Sequence, residues 1–174
     1  VYKRQVNIRG VEFPNRIVVP PMCQYSAHEG YVDDWHLVNL GRFAMGGAGL
    51  IITEATAVQK KGRITHGCPG IWKDEQIIGH SRIAQFISRN GAIPGIQLGH
   101  AGRKASMQRP WYGNGPLNED DFERGDMPWN IVAPSAYSVG EGWQIPEEMS
   151  EEQICEFIDD FIAAARRAIS AGYK

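Results

Sequence analysis

The chain has 174 residues, 43% hydrophobic and 22% charged, with 18 basic against 20 acidic side chains and a formal charge of −2. This composition suits a globular domain and excludes a basic nucleic-acid stripe, since Lys and Arg are scattered singly or in pairs such as Lys60-Lys61 and Arg166-Arg167. The longest apolar runs, Ile17 to Pro21 and Ala48 to Thr53, are strand-sized against the roughly 20 residues of a bilayer span, which excludes a membrane helix. Lys3, Arg4, Asn7 and Arg9 interrupt any apolar leader core, so a cytoplasmic protein is expected. The cysteines Cys23, Cys68 and Cys155 are odd in number and widely spaced, as reduced thiols would be. The histidines at 28, 36, 66, 80 and 100 lack metal-binding spacing, and no protein-held metal is expected.

In chain order, Gln5 to Phe13 reads as a small hairpin turning near Gly10. Three short apolar runs follow, at Arg16 to Pro20, Gly49 to Thr53 and Ile93 to Gln97. Continuous runs of this length suit strands buried on both faces, as in a parallel sheet. A helix is predicted after each. The first covers about Asp34 to Met45, with Gly46-Gly47 at its stop. The second covers about Asp74 to Asn90, with Asp74 as N-cap and Gly91 at the stop.

The third helix opens at the capping box Ser150/Gln153, with Met149 and Ile154 as a hydrophobic staple. Its apolar positions are Ile154, Phe157, Ile158, Phe161, Ile162, Ala165 and Ile169, and Gly172 ends it. The β-α-β-α-β-α order, with no GxGxxG after any strand, indicates a parallel α/β architecture and leaves barrel and open sheet both standing.

The long loops all follow strands, at about 22–33, 54–73 and 98–149. In a barrel this is the catalytic face. The longest, carrying Trp111, Tyr112, Trp129 and Trp143, has the size of a lid or binding element. A barrel needs roughly 250 residues, and three parallel strands cannot close one. The chain therefore reads as the front half of a longer protein.

Pro20-Pro21-Met22-Cys23-Gln24-Tyr25 is a proline-stiffened turn carrying one thiol and one phenol. On spacing alone, Cys23 and Met22 are either core residues at a strand end or part of a turn that lies flat against a planar cofactor. Gln97 ends a buried strand, where an amide is costly unless paired; a structural partner and a ligand both satisfy that demand. Ala55 is by itself an ordinary small residue in a strand-end turn. The acidic stretch Glu119-Asp120-Asp121 reads as a solvated loop face.

The strings NRIVVPPMCQYSAHEGYVDDWH, GAGLIITEATAV, GRITHGCPGIWKDEQI and GIQLGHAGRKA occur in this order. Together they resemble the Old Yellow Enzyme family of FMN-dependent ene-reductases, from about Ile8 to Lys174. The Cys23/Tyr25 pairing and the Arg109-Pro110-Trp111 segment are similar to its bacterial xenobiotic reductase and thermophilic-like branch.

The resemblance implies a (β/α)8 TIM barrel, of which residues 1–174 would form about the first three β/α units, with a lid at about 99–149. It implies FMN as cofactor, NADPH or NADH as reductant, and small enone- or enal-type substrates whose activated C=C bond is reduced. No nucleic acid or membrane partner is implied, and the full-length protein would be a homo-oligomer. Pro20, Pro21, Met22, Cys23, Ala55 and Gln97 match flavin contacts; Cys23 would tune the flavin and Tyr25 would hydrogen-bond the substrate. The family's electrophilic His pair, or His and Asn, lies after a fourth strand and is not in this chain. By itself the chain would then be inactive, and the alternative is a non-catalytic half-barrel that needs a partner chain or self-association. His100 and Arg103 read as loop-organising residues, His36 as a hydrogen-bonded packing residue, and the loop tryptophans as anchors.

Overall fold

The computed structural model describes residues 4–174; Lys3, one of the residues that interrupt an apolar leader, lies outside them. The hairpin forms as expected. Strand β1 (Val6–Ile8) pairs antiparallel with β2 (Val11–Phe13) across Arg9 and Gly10, both at positive φ, the conformation of a two-residue primed turn.

Three parallel strands follow, β3 (Val18–Val19), β4 (Leu50–Ala57) and β5 (Ile93–Gly99), adjacent in sequence order. The crossover from β3 is helix α1 (Asp34–Met45), and that from β4 is α2 (Ile77–Arg89). In α1, Asp33 caps the Trp35 amide, and the left-handed residue at the stop is Gly47 rather than Gly46. Asp74 does not cap α2. It opens a 3-10 turn, Asp74–Gln76, and the helix proper starts without a side-chain cap.

The expectation of strands buried on both faces holds for one face only. Val19, Ile51, Ala48, Leu40, Ile83 and Ile87 form a core between the sheet and helices α1 and α2. On the other face Leu50 and Ile52 are half-buried, and at the sheet edge Ile17 and Val18 are exposed. Among the described residues no helix covers that inner face, and none is long and apolar enough to cross a membrane.

The long loop after β5 has structure of its own. It contains 3-10 turns at Gly102–Lys104 and Pro110–Tyr112, the short helix α3 (Glu119–Glu123), and a parallel bridge of β6 (Val132–Ala133) with β7 (Glu147–Glu148). Asp121 is not part of a solvated face: it is fully buried and accepts from Gln108 Nε2 at 2.7 Å, Asn118 N at 2.9 Å and Arg124. Those donors hold its carboxyl below the usual range despite burial.

The last helix, α4 (Glu151–Ala171), begins at the Ser150/Gln153 capping box and ends at left-handed Gly172. Its buried seam is small: Ala164, Ala168 and Ala171 pack with Phe161 against Val58, Ile71 and Ala84. Ile154, Ile158, Ile162 and Ile169 face outward and are exposed. Its isoleucines form a second apolar stripe beside that seam.

Candidate active site

The candidate residues converge where the sheet ends. In the β4/β5 ladder Ala55 lies opposite Gln97, and the turn after β3 folds over the same end. The Cys23 thiol lies beside the Ala55 backbone and the Tyr25 side chain, both of which favour its ionised form. Cys23, Tyr25, Ala55 and Gln97 are thus one cluster drawn from three strands. Pro20 and Met22 are exposed and Pro21 half-buried along its rim.

Burial, reinforced by the charge of Glu54, pushes the Cys23 thiol above its ordinary range. Burial likewise pushes the Tyr25 phenol up to about 12, so the phenol keeps its proton near neutrality and can donate a hydrogen bond. Tyr25 sits at φ +52, a left-handed conformation unusual for an aromatic residue. The conformation is held from both sides. A Cβ at Gly67 would lie 2.0 Å from the Tyr25 carbonyl oxygen, so only glycine permits this approach, and Gly67 O accepts from Ala27 N at 2.9 Å.

Gln97 differs from expectation. It is exposed rather than buried, and its amide has no partner among the described residues. The cost of an unpaired buried amide therefore does not apply; the carboxamide is a donor and acceptor presented outward.

Two further residues belong to this end of the sheet. The Trp111 ring stands edge-on to Tyr25, with centroids 6.2 Å apart, and is 57% exposed. The long loop thus reaches the turn after β3. Glu54 is 4% exposed and accepts from Gln24 N at 2.8 Å. A carboxylate inside the run LIITEATA was the available sequence signal for Glu54; nothing local in the sequence signals the Trp111 contact.

His100 and Arg103 behave as loop residues. His100 bonds Gln59 Oε1 at 3.1 Å and accepts from Gly102 N, while Arg103 is exposed. Burial holds the His100 imidazole down at about 4, so it is neutral at pH 7. His36 and His80 are fully buried packing residues, His66 bonds Met127 O, and Trp129 donates to Lys61 O. A cavity of about 130 Å³ beside Ala55 is lined by Ile64, Cys68, His100 and Ala101. A cavity of about 350 Å³ under the long loop, by Phe122 and Trp143, contains none of the candidate residues.

The cluster suits a flat, partly apolar group with a polar edge. Ala55 adds no bulk, Met22 offers an apolar surface, and the Gln97 carboxamide is free to pair. These are the demands of a flavin ring.

Comparison with known proteins gives a consistent picture. The family model described as NADH:flavin oxidoreductase / NADH oxidase matches residues 5–174. A NADH:flavin oxidoreductase of Gibberella zeae is 48% identical over 97% of this chain and 40% of its own length. A NADPH dehydrogenase of Geobacillus sp. is 42% identical over 95% of this chain and 44% of its own. The chain spans less than half the length of these relatives. Old Yellow Enzyme from Pichia sp. superposes with a TM-score of 0.81 at 26% identity, covering 99% of this chain and 44% of that one.

Proposed function

Because the chain belongs to the NADH:flavin oxidoreductase / NADH oxidase family, we propose that it forms the first three β/α units of an FMN-binding barrel, with residues 99–149 as its lid, and lines one side of a site where NADPH or NADH drives reduction of activated C=C bonds in enone- or enal-type compounds. The observation that carries this reading is the convergence of Cys23, Tyr25, Ala55 and Gln97 on one end of the parallel sheet.

FMN, when bound, supplies the hydride chemistry. The chain's residues hold and orient. Pro20 to Cys23 would pack along the ring, Gln97 would pair with its polar edge, and Ala55 would leave it room. The Cys23 thiol, kept protonated, places a polarisable sulfur there without adding charge. Tyr25 would donate its phenolic proton in a hydrogen bond to the substrate oxygen, countering the charge that develops there. Trp111 would close the substrate side beside Tyr25. Further oxyanion donors and the phosphate site belong to other segments of the barrel in this reading.

Incompleteness of the barrel within these residues has its own support. Leu50 and Ile52 are only half-buried on the inner face, and the Lys174 amide donates to Pro94 O at 3.0 Å, bringing the chain back alongside β5 where a further strand would pair. The exposed isoleucine stripe of α4 equally favours a second reading, a non-catalytic half-barrel that self-associates through its open faces.

Retention of FMN through gel filtration, read by visible absorption, tests both readings with the chain alone and with the remaining barrel supplied. Flavin retained only with the remainder, together with alkene reduction, supports the enzyme; no flavin in either state overturns it. Gln97→Ala should weaken FMN binding by about 1 to 3 kcal/mol, the cost of leaving a polar partner unpaired, and unchanged affinity would remove Gln97 from the site. Cys23→Ala should shift the flavin potential while FMN stays bound.

A further inference from the structure

Glu54 is the extra residue of a β-bulge. The β4/β5 register shifts between Thr53, opposite Ile96, and Ala55, opposite Gln97, so nothing on β5 lies across from Glu54. Such bulges re-aim a side chain. Here the carboxyl is buried between the turn after β3 and helix α1. Oε2 accepts from Gln24 N at 2.8 Å, and the adjacent Tyr25 backbone also favours the ionised carboxyl. Oε1 lies 3.8 Å from His36 Nε2, a fully buried nitrogen with no hydrogen-bond partner. The opposite ring nitrogen, Nδ1, lies 3.0 Å from Asp33 Oδ1 and 3.2 Å from Asp33 N, within the cap of α1. The buried carboxyl therefore faces an unpaired imidazole nitrogen with one oxygen and with the other grips the turn that carries Cys23 and Tyr25.

The geometry points to Glu54 as a proton-linked positioning residue, whose charge state sets how firmly the Cys23–Tyr25 turn is held and how much negative charge Cys23 feels. The ionised carboxylate accepts strongly from the turn at Gln24 N, next to the left-handed Tyr25. Protonated, it accepts more weakly and no longer repels the Cys23 thiolate.

Burial supports a change of charge state near neutrality by pushing the Glu54 carboxyl up to about 7, while it pushes the facing His36 imidazole down. The other ionisable groups around the carboxyl are Cys23 and Tyr25 on the turn, Arg42 on α1 in the cleft beside Glu54, Asp33 at the cap of α1, and His80 on α2 behind His36. The consequence for catalysis rests on the proposed flavin site; the test does not.

The test is the pH dependence of Cys23 alkylation by iodoacetamide, followed on the Cys23 peptide by mass spectrometry in the flavin-free protein. In the wild type the logarithm of the rate should rise with pH, flatten near the Glu54 titration at about 7, and rise again. Glu54→Gln should abolish the flattening and speed alkylation several-fold at pH 9, as expected for a thiol relieved of a neighbouring negative charge. A merely structural glutamate would change stability and leave the profile alone. Superimposable wild-type and Glu54→Gln profiles overturn the assignment. Should Glu54→Gln not fold, carboxyl NMR of 13C-glutamate-labelled wild type decides: one carboxyl titrating near neutrality supports the assignment, and all titrating below about pH 5 overturns it. Failure of FMN binding leaves these profiles standing, so the two readings fail separately.

Discussion

The two faces of the parallel sheet carry similar residues to different fates. Outward, Ile51 and Thr53 are fully buried under the helices, and Thr53 Oγ1 donates to Tyr173 OH at 3.2 Å, whose hydroxyl lies 3.0 Å from His80 Nδ1. Inward, Ile52 is half-buried and Gln97 exposed, one residue away from side chains in the core. The alternation of a strand decides which side a residue faces, but burial depends on what packs there. The outer face is closed by helices from this chain, while the inner face awaits other parts of a barrel in the proposed reading.

The largest expected effect is on the outer face. Ile51→Ala should cost about 2 to 5 kcal/mol in urea unfolding, since it leaves a cavity in a closed core. Ile52→Ala in the 174-residue chain should cost less, since its side chain is only partly withdrawn from water and its truncation leaves no closed cavity. Equal costs would show that the inner face is covered, as by self-association, and would break the contrast.

Tyr173→Phe should cost about 1 to 3 kcal/mol by stranding His80 Nδ1 and Thr53 Oγ1 in the interior. The same network sets a pH response. Burial holds His80 at about 4, well below its unfolded value, so the unfolded chain binds more protons and stability is lost as pH falls below about 6.5. His36 and His100, also lowered, act in the same direction. Glu54 opposes them: its raised folded value means that its contribution is lost as pH rises from about 4.5 toward 7. Stability should therefore peak above pH 7, where the unfolded imidazoles have lost their protons, and Glu54→Gln should steepen the acid-side slope. Urea midpoints across pH 4 to 8 would check both the peak and the slope. The smallest effect is at the surface, where Arg82→Ala, breaking the exposed pair with Asp34, should change stability by less than about 1 kcal/mol in the same assay.

Much of the scaffold was legible locally. The Arg9-Gly10 turn, the Asp34–Met45 helix and the Ser150/Gln153 capping box are signals spanning a few residues, and each forms where its pattern lies. The second helix was found but not its start, because a 3-10 turn at Asp74–Gln76 took the place of a capped α-turn. On α4 the helical period was right and the buried side was not. Isoleucine outranks alanine in hydrophobicity, yet packing against Val58, Ile71 and Ala84 selected Ala164, Ala168 and Ala171.

By itself the sequence determined the order of elements and the chemistry on offer after each strand, because caps, turns and apolar runs act over a handful of bonds. Its motifs also carried the family resemblance. Only the tertiary structure decided that Cys23, Tyr25, Ala55 and Gln97 meet, that Asp121 is buried, and that a bulge turns Glu54 toward His36. Those facts depend on strand register and on groups far apart in the chain, and burial, hydrogen-bond satisfaction and the resulting proton affinities are properties of the assembled environment rather than of any residue alone.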